Sequence, residues 1–205
     1  MQFALWEQTL LLVGIGITAV VAARELRPKL RFVLAGAPER PRTDRIGERL
    51  LRTAREVLLQ TRVIGGRPVV GTLHAIVFFG FVIFALETTD HFLEPFGVHL
   101  LATLFGDGEA LFKTLLAGVS ALVIVGVGGL FWRRFFMPAI SPDPKSYSSG
   151  VVAIMIILLM LTYLYGLAES APGQRLNWWL HALLIMAFVP LILHSKHFHI
   201  LAGPV

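Results

Sequence analysis

The sequence predicts an all-α integral membrane protein, a bundle of five helices with the N-terminus outside and the C-terminus in the cytoplasm. Three observations carry this expectation. Of 205 residues, 56% are hydrophobic and only 15% charged, with a mean hydropathy of +0.73; soluble domains carry nearer a quarter charged residues. The apolar residues fall in blocks long enough to cross a bilayer. The basic residues collect in loops on one side of those blocks.

The elements follow in order. Spans are expected over about 5–23, 69–89, 110–131, 150–168 and 177–201, within one membrane domain covering 1–205. The first is no convincing secretory signal, because no basic stretch precedes it and Glu7 stands at its start. Each span must satisfy its own backbone in lipid, so helix is the default. Between the first two spans, Ile46, Leu50, Leu51, Ala54, Val57 and Leu58 recur at helical spacing with Arg45, Arg49, Arg52 and Arg55 between them. This predicts an amphipathic helix over about 43–62, lying on an anionic inner leaflet or docking a soluble electron donor. Pro38 to Pro41 and Gly65 to Pro68 punctuate its flanks.

Charge sets the expected orientation. The segment from Arg24 to Arg67 holds 12 of the 18 Lys and Arg residues, and Arg133, Arg134, Lys145 and Lys196 fall on the same side. The other side carries Glu7, Asp90, Glu94, Asp107, Glu109 and Glu169, with Lys113 and Arg175. The net charge of +5 therefore reads as topology in a cytoplasmic membrane rather than as nucleic-acid binding. Trp178 and Trp179 on one side and Trp132 on the other fit interfacial belts. The chain has no cysteine, which excludes disulfides and cysteine-ligated metal or iron–sulfur sites within these residues.

Histidine carries the chemistry. A histidine inside a span is rare and usually functional. His181 and His199 lie 18 residues apart, five helical turns, so one continuous helix would hold both on one face about 27 Å apart. His74, near the inner end of span two, stands at the depth of His199. The two are expected to ligate one haem b iron as a low-spin, electron-carrying centre. His181 needs a partner on the outer side. His91 has the depth, but lies about 100° round the helix from His74 and follows Thr88-Thr89-Asp90, where the span could end. His99 is a weaker candidate. His194 competes with His199 in spacing but faces almost the opposite way. Lys196 and His197 read as inner-interface residues. Gly118, Gly126, Gly128 and Gly129 suit close helix packing or a flat macrocycle. Phe78, Phe79, Phe81 and Phe84 suit ordinary packing or a porphyrin wall.

The stretch Gly71-Thr-Leu-His74-Ala-Ile-Val-Phe-Phe-Gly-Phe81 and the ending Leu193-His-Ser-Lys-His-Phe-His199-Ile-Leu-Ala-Gly-Pro204 resemble the membrane cytochrome b of the respiratory nitrate reductase gamma type. They resemble still more its relatives joined to heterodisulfide-reductase-like iron–sulfur subunits, among them oxidoreductases linking electron-transfer flavoprotein to menaquinone. The resemblance runs along nearly the whole chain. It implies that His74 and His199 hold the cytoplasmic-side haem and that His181 is the first span-five ligand. The family's second span-two histidine falls ten residues after the first, where this chain has Phe84, so an outer haem requires His91 instead.

The expected function is a haem b subunit passing electrons between a cytoplasmic iron–sulfur partner and menaquinone or ubiquinone, the membrane part of a quinone oxidoreductase. Glu87, His91 or Asp90 would relay quinone protons at the outer side. The alternative is a non-redox anchor or small transporter whose histidines are structural or proton-relaying.

Overall fold

Lipid offers no hydrogen bonds to a backbone, so each apolar block has to satisfy its own amides. In the computed structural model all five blocks do so as helices long and apolar enough to cross a membrane. The structure describes residues 2–35, 45–137, 147–168, 170, 172–195 and 198, and no strand occurs among them. The long helices are α1 (Leu5–Leu34), α4 (Pro68–Leu93), α6 (Glu109–Phe136), α7 (Tyr147–Gly166) and α8 (Gln174–His194). Between them lie three short helices, α2 (Ile46–Thr53), α3 (Thr61–Gly66) and α5 (Leu100–Phe105).

The long helices form a row of neighbours: α1 packs on α8, α8 on α7, α7 on α6, and α6 on α4. The row curls, so that α4 returns towards α8. Among the described residues these last two are not a close-packed pair; side chains join them at one end. That end holds the start of α1, the close of α4 and the start of α8, and is called here the Glu7 end. The opposite end, where Lys29 donates to the Leu193 carbonyl, is the Lys29 end.

Glycines set the close contacts. Gly126 of α6 meets the Leu73 carbonyl of α4, which stands 3.1 Å from where a Cβ would be, and Gly129 meets the Leu73 side chain at the same distance. Gly80 of α4 is filled by Val123 of α6. The larger core, including Phe84, Leu116, Val127, Leu159, Tyr163 and Phe188, lies between α4, α6, α7 and α8. A smaller one joins Leu11 of α1 to Trp178, Ala182 and Met186 of α8. Leu10, Val13 and Ile17 of α1 are exposed apolar surface suited to lipid.

Three expectations change. The first helix continues past Ala23 to Leu34, carrying Arg24 to Arg31 and Pro28 within it. The amphipathic segment is not one helix over 43–62. It runs from Ile46 through a π-helical turn (Ala54–Leu58) and breaks at Gln60, whose φ of 52° is left-handed and whose side chain folds back to the Val57 carbonyl at 2.6 Å. Its apolar residues Ile46, Leu50, Leu51 and Leu58 are exposed. Finally, α8 stops at His194 rather than about 201. Ser195 takes extended backbone (φ −86°, ψ 171°), its amide closing on the Leu191 carbonyl and its hydroxyl on that of Ile192. The five-turn register expected between His181 and His199 is therefore not carried by one unbroken α-helix. His199 itself, with Lys145, Glu169, Lys196, His197 and the closing Gly203-Pro204, lies outside the described residues.

The seat of α3 on α4 depends on Gly71. A Cβ there would run into the Val63 carbonyl oxygen and stand 2.6 Å from the Ile64 Cα, both backbone atoms that cannot turn aside. Gly71→Ala is expected to unseat α3 and cost about 1–3 kcal/mol, the usual penalty of overpacking. Thermal unfolding in detergent, with Gly118→Ala as the control in open space, measures it.

Candidate functional site

The Glu7 end is where this bundle concentrates its polar side chains. Glu7 is only 2% exposed, yet its carboxylate is fully engaged. The Arg175 guanidinium donates through Nε to Oε1 at 2.7 Å and through Nη2 to the other oxygen. The Ala4 amide and the Trp179 indole donate as well, at 2.9 and 3.2 Å. The bidentate pair fixes α1 against α8 in register. Gln8 ties the same turn of α1 to the Pro95 carbonyl just past α4, at 2.7 Å.

Inside this clamp, α4 meets α8 through two histidines. The helix does not end at Thr88-Thr89-Asp90. Thr89 returns its hydroxyl to the Ala85 carbonyl at 2.8 Å, and α4 runs on to Leu93, so His91 is helical. The His91 ring lies edge-to-face with that of His181, centroids 4.9 Å apart at 76°. It stacks on the Trp178 indole at 4.5 Å and 20°. Trp178 is held in turn by its Nε1 donating to Glu94 at 3.0 Å and by Phe3 of the N-terminal segment at 4.6 Å. His181 is buried and its Nδ1 lies 2.7 Å from the Thr162 hydroxyl of α7. Nε2 of His91 is buried and has no hydrogen-bond partner.

The other expected residues separate. Phe84, at the position where the resembled family has its second span-two histidine, is buried and packs edge-to-face on Tyr163 at 5.0 Å. His91 is seven residues further on, two turns, and so projects from the same face as Phe84. The angular objection to His91 applies equally to position 84. His74 is half-buried one and a half turns into α4. His99 is exposed at the start of α5. His194 points to α1, its Nδ1 3.0 Å from Glu25. Asp90 is buried with Oδ1 accepting the Leu101 amide at 3.0 Å, anchoring α5. Glu87, half-buried, keeps Oε2 inside the protein without a hydrogen-bond partner. Phe79 and Phe81 are exposed on the bundle surface rather than walling an interior space.

Trp178 corrects the belt expectation. It is 4% exposed and packs into the site, whereas Trp132 remains exposed at the far end of α6. Trp178 and Thr162 are the two residues of this arrangement that spacing arguments missed. Trp178 stands one turn before His181, which is a weak signal; Thr162 lies on another helix and gives none.

Chemically, two imidazoles on facing helices are a donor pair. Among the described residues no group of three or more His, Asp, Glu or Cys side chains could enclose a metal ion. A pair suits a centre that brings its other donors with it, as a porphyrin does. With metal–nitrogen bonds of about 2 Å each, two imidazoles on one iron stand further apart than these rings. As they stand the rings leave no place for an iron between them, and one would have to turn to admit it.

A curated relative is similar to this chain: the probable iron-sulfur-binding oxidoreductase FadF of Bacillus subtilis (strain 168), 26% identical over 164 residues. The match covers 65% of this chain and 23% of that protein, so the chain spans about a quarter of the relative's length. No protein-family profile and no solved structure matches. The relation supports a broad likeness to oxidoreductases.

Trp178 stacks on the His91 ring and is held by its bond to Glu94. Trp178→Ala is expected to lower stability by on the order of 3 kcal/mol, the usual cost of emptying a buried indole site. Trp178→Phe keeps a ring against His91 but loses the bond to Glu94 and part of the indole's volume, and should cost less, about 1–2 kcal/mol. Thermal unfolding of both variants in detergent orders them.

Proposed function

We propose that this chain is the membrane electron-transfer part of an oxidoreductase, holding haem b between α4 and α8 and joining an iron–sulfur partner to membrane quinone. The carrying observation is the meeting of His91 and His181 at the Glu7 end, with a ligand nitrogen of His91 buried and unpartnered. The relative's name, which speaks of iron–sulfur binding and oxidoreduction, supports the redox class. The likeness to nitrate reductase gamma-type and heterodisulfide-reductase-linked cytochromes stays part of this reading. So do the second haem, ligated by His74 and His199, and the location in the cytoplasmic membrane with the Glu7 end outside.

Haem b, held by His91 and His181, would supply reversible one-electron chemistry. The chain's own residues do the rest. Trp178 holds the plane of the His91 ring, and the Glu7–Arg175 pair holds α8 against α1 so that His181 keeps its height. Glu87, four residues before His91 on the same helix, offers a half-buried carboxyl to take or give a quinone proton. Asp90 is already committed to the Leu101 amide, which leaves Glu87 the better relay.

Purified protein is expected to give a reduced-minus-oxidised spectrum of the b type. Each of His91→Ala and His181→Ala should remove one and the same low-spin centre, and His74→Ala and His199→Ala another, with two haems per chain by pyridine haemochrome. Folded protein with no Soret band overturns the reading in favour of a non-redox anchor or transporter. One haem per chain that survives His91→Ala removes the site at the Glu7 end.

A further inference from the structure

Thr162 of α7 is a buried hydroxyl with three oxygen or nitrogen neighbours and one proton. Its Oγ1 lies 2.8 Å from the Leu158 carbonyl, 3.0 Å from the Leu159 carbonyl and 2.7 Å from Nδ1 of His181. A carbonyl oxygen can only accept, and two of them flank this hydroxyl. Threonine in a helix ordinarily gives its proton back to the carbonyl one turn earlier. Were the proton turned to His181 instead, Oγ1 would face both carbonyls lone pair to lone pair at hydrogen-bond distance. With the proton spent on α7, Oγ1 has lone pairs only, and it can approach Nδ1 this closely only if Nδ1 carries a hydrogen. A neutral imidazole protonated at Nδ1 has its lone pair on Nε2.

The carbonyl of the same residue is held too. Asn177 of α8 donates from Nδ2 to the Thr162 carbonyl oxygen at 3.0 Å. Asn177 lies four residues before His181, so both side chains reach α7 from one face of α8. The two contacts set α8 against Thr162 in depth and in rotation. The nearby Gly166 keeps the approach open, since a Cβ there would stand 3.4 Å from the Asn177 amide nitrogen.

We infer that Thr162 is a positioning residue that locks His181 in the tautomer with Nε2 free, so that the imidazole meets an iron already oriented. The inference rests on His91 and His181 being haem ligands only for the purpose of the lock; the lock itself is a property of α7 and α8. A partner on the distal nitrogen is a recurrent means of fixing ligand histidines, and its loss typically weakens metal retention roughly 10–100-fold.

The test uses the full-length chain labelled with 15N at histidine, reduced with dithionite so that a low-spin haem iron is diamagnetic. His181 is assigned by comparison with His181→Gln. Wild type and Thr162→Ser are expected to show a proton on His181 Nδ1 and none on Nε2. Thr162→Val, which keeps the shape and removes the hydroxyl, should lose the hydrogen-bonded Nδ1 signal, shift the midpoint potential of one haem, and release that haem at least tenfold faster on dilution. A proton found on Nε2 in wild type overturns the inference and needs no variant to fold. So does a Thr162→Val protein with the wild-type Nδ1 signal, potential and haem release. Wild-type protein without haem but with the Nδ1 proton in place would sink the haem reading and leave the lock standing.

Discussion

The meeting of α4 with α8 at the Glu7 end is the constraint on which the rest of this bundle depends. Nothing in hydrocarbon drives one apolar helix onto another except packing and the need to keep polar groups satisfied. Here the polar groups are gathered at one end. Glu94 and Trp178, Glu7 and Arg175, and Thr162 and His181 each join two elements, and every pair includes a residue of α8. Below that end α4 leans instead on α6, through Gly80, Gly126 and Gly129. The helix is thus pinned at its top to one neighbour and packed along its length against another. That division makes room for side chains, rather than backbone, to meet at its junction with α8.

Hydropathy made the five crossings legible because lipid imposes one requirement on every residue of a span. Their ends were less legible, because they depend on local hydrogen bonds. Thr88-Thr89-Asp90 looks like a stop in sequence. In three dimensions Thr89 bonds backward along the helix and Asp90 finds the Leu101 amide, so the helix continues and delivers His91. The reverse holds at His194, where the span expected from sequence runs on to about 201 but Ser195 turns the backbone away.

Site residues were readable where chemistry is rare and unreadable where it is common. A histidine within a span stands out, and His181 and His91 were both visible on that ground. Tryptophan near a span end has an ordinary explanation at the interface, which hid the stacked role of Trp178. Threonine in a helix has an ordinary explanation too, and nothing in the sequence places Thr162 opposite a residue 19 positions later. Position 84 is a buried phenylalanine where the resembled family has a histidine, and the same face presents His91 two turns on.

The first helix has a consequence for how the protein is made. Among the five crossings α1 packs on α8, and the Glu7 to Arg175 bond closes a separation of 168 residues. At translation speeds of about 5–20 residues per second, the anchor emerges roughly 10–30 seconds after the helix that awaits it. Until then Glu7 lacks the guanidinium that engages it in the folded bundle. The largely apolar first five turns of α1 suit a helix that waits in lipid for α8.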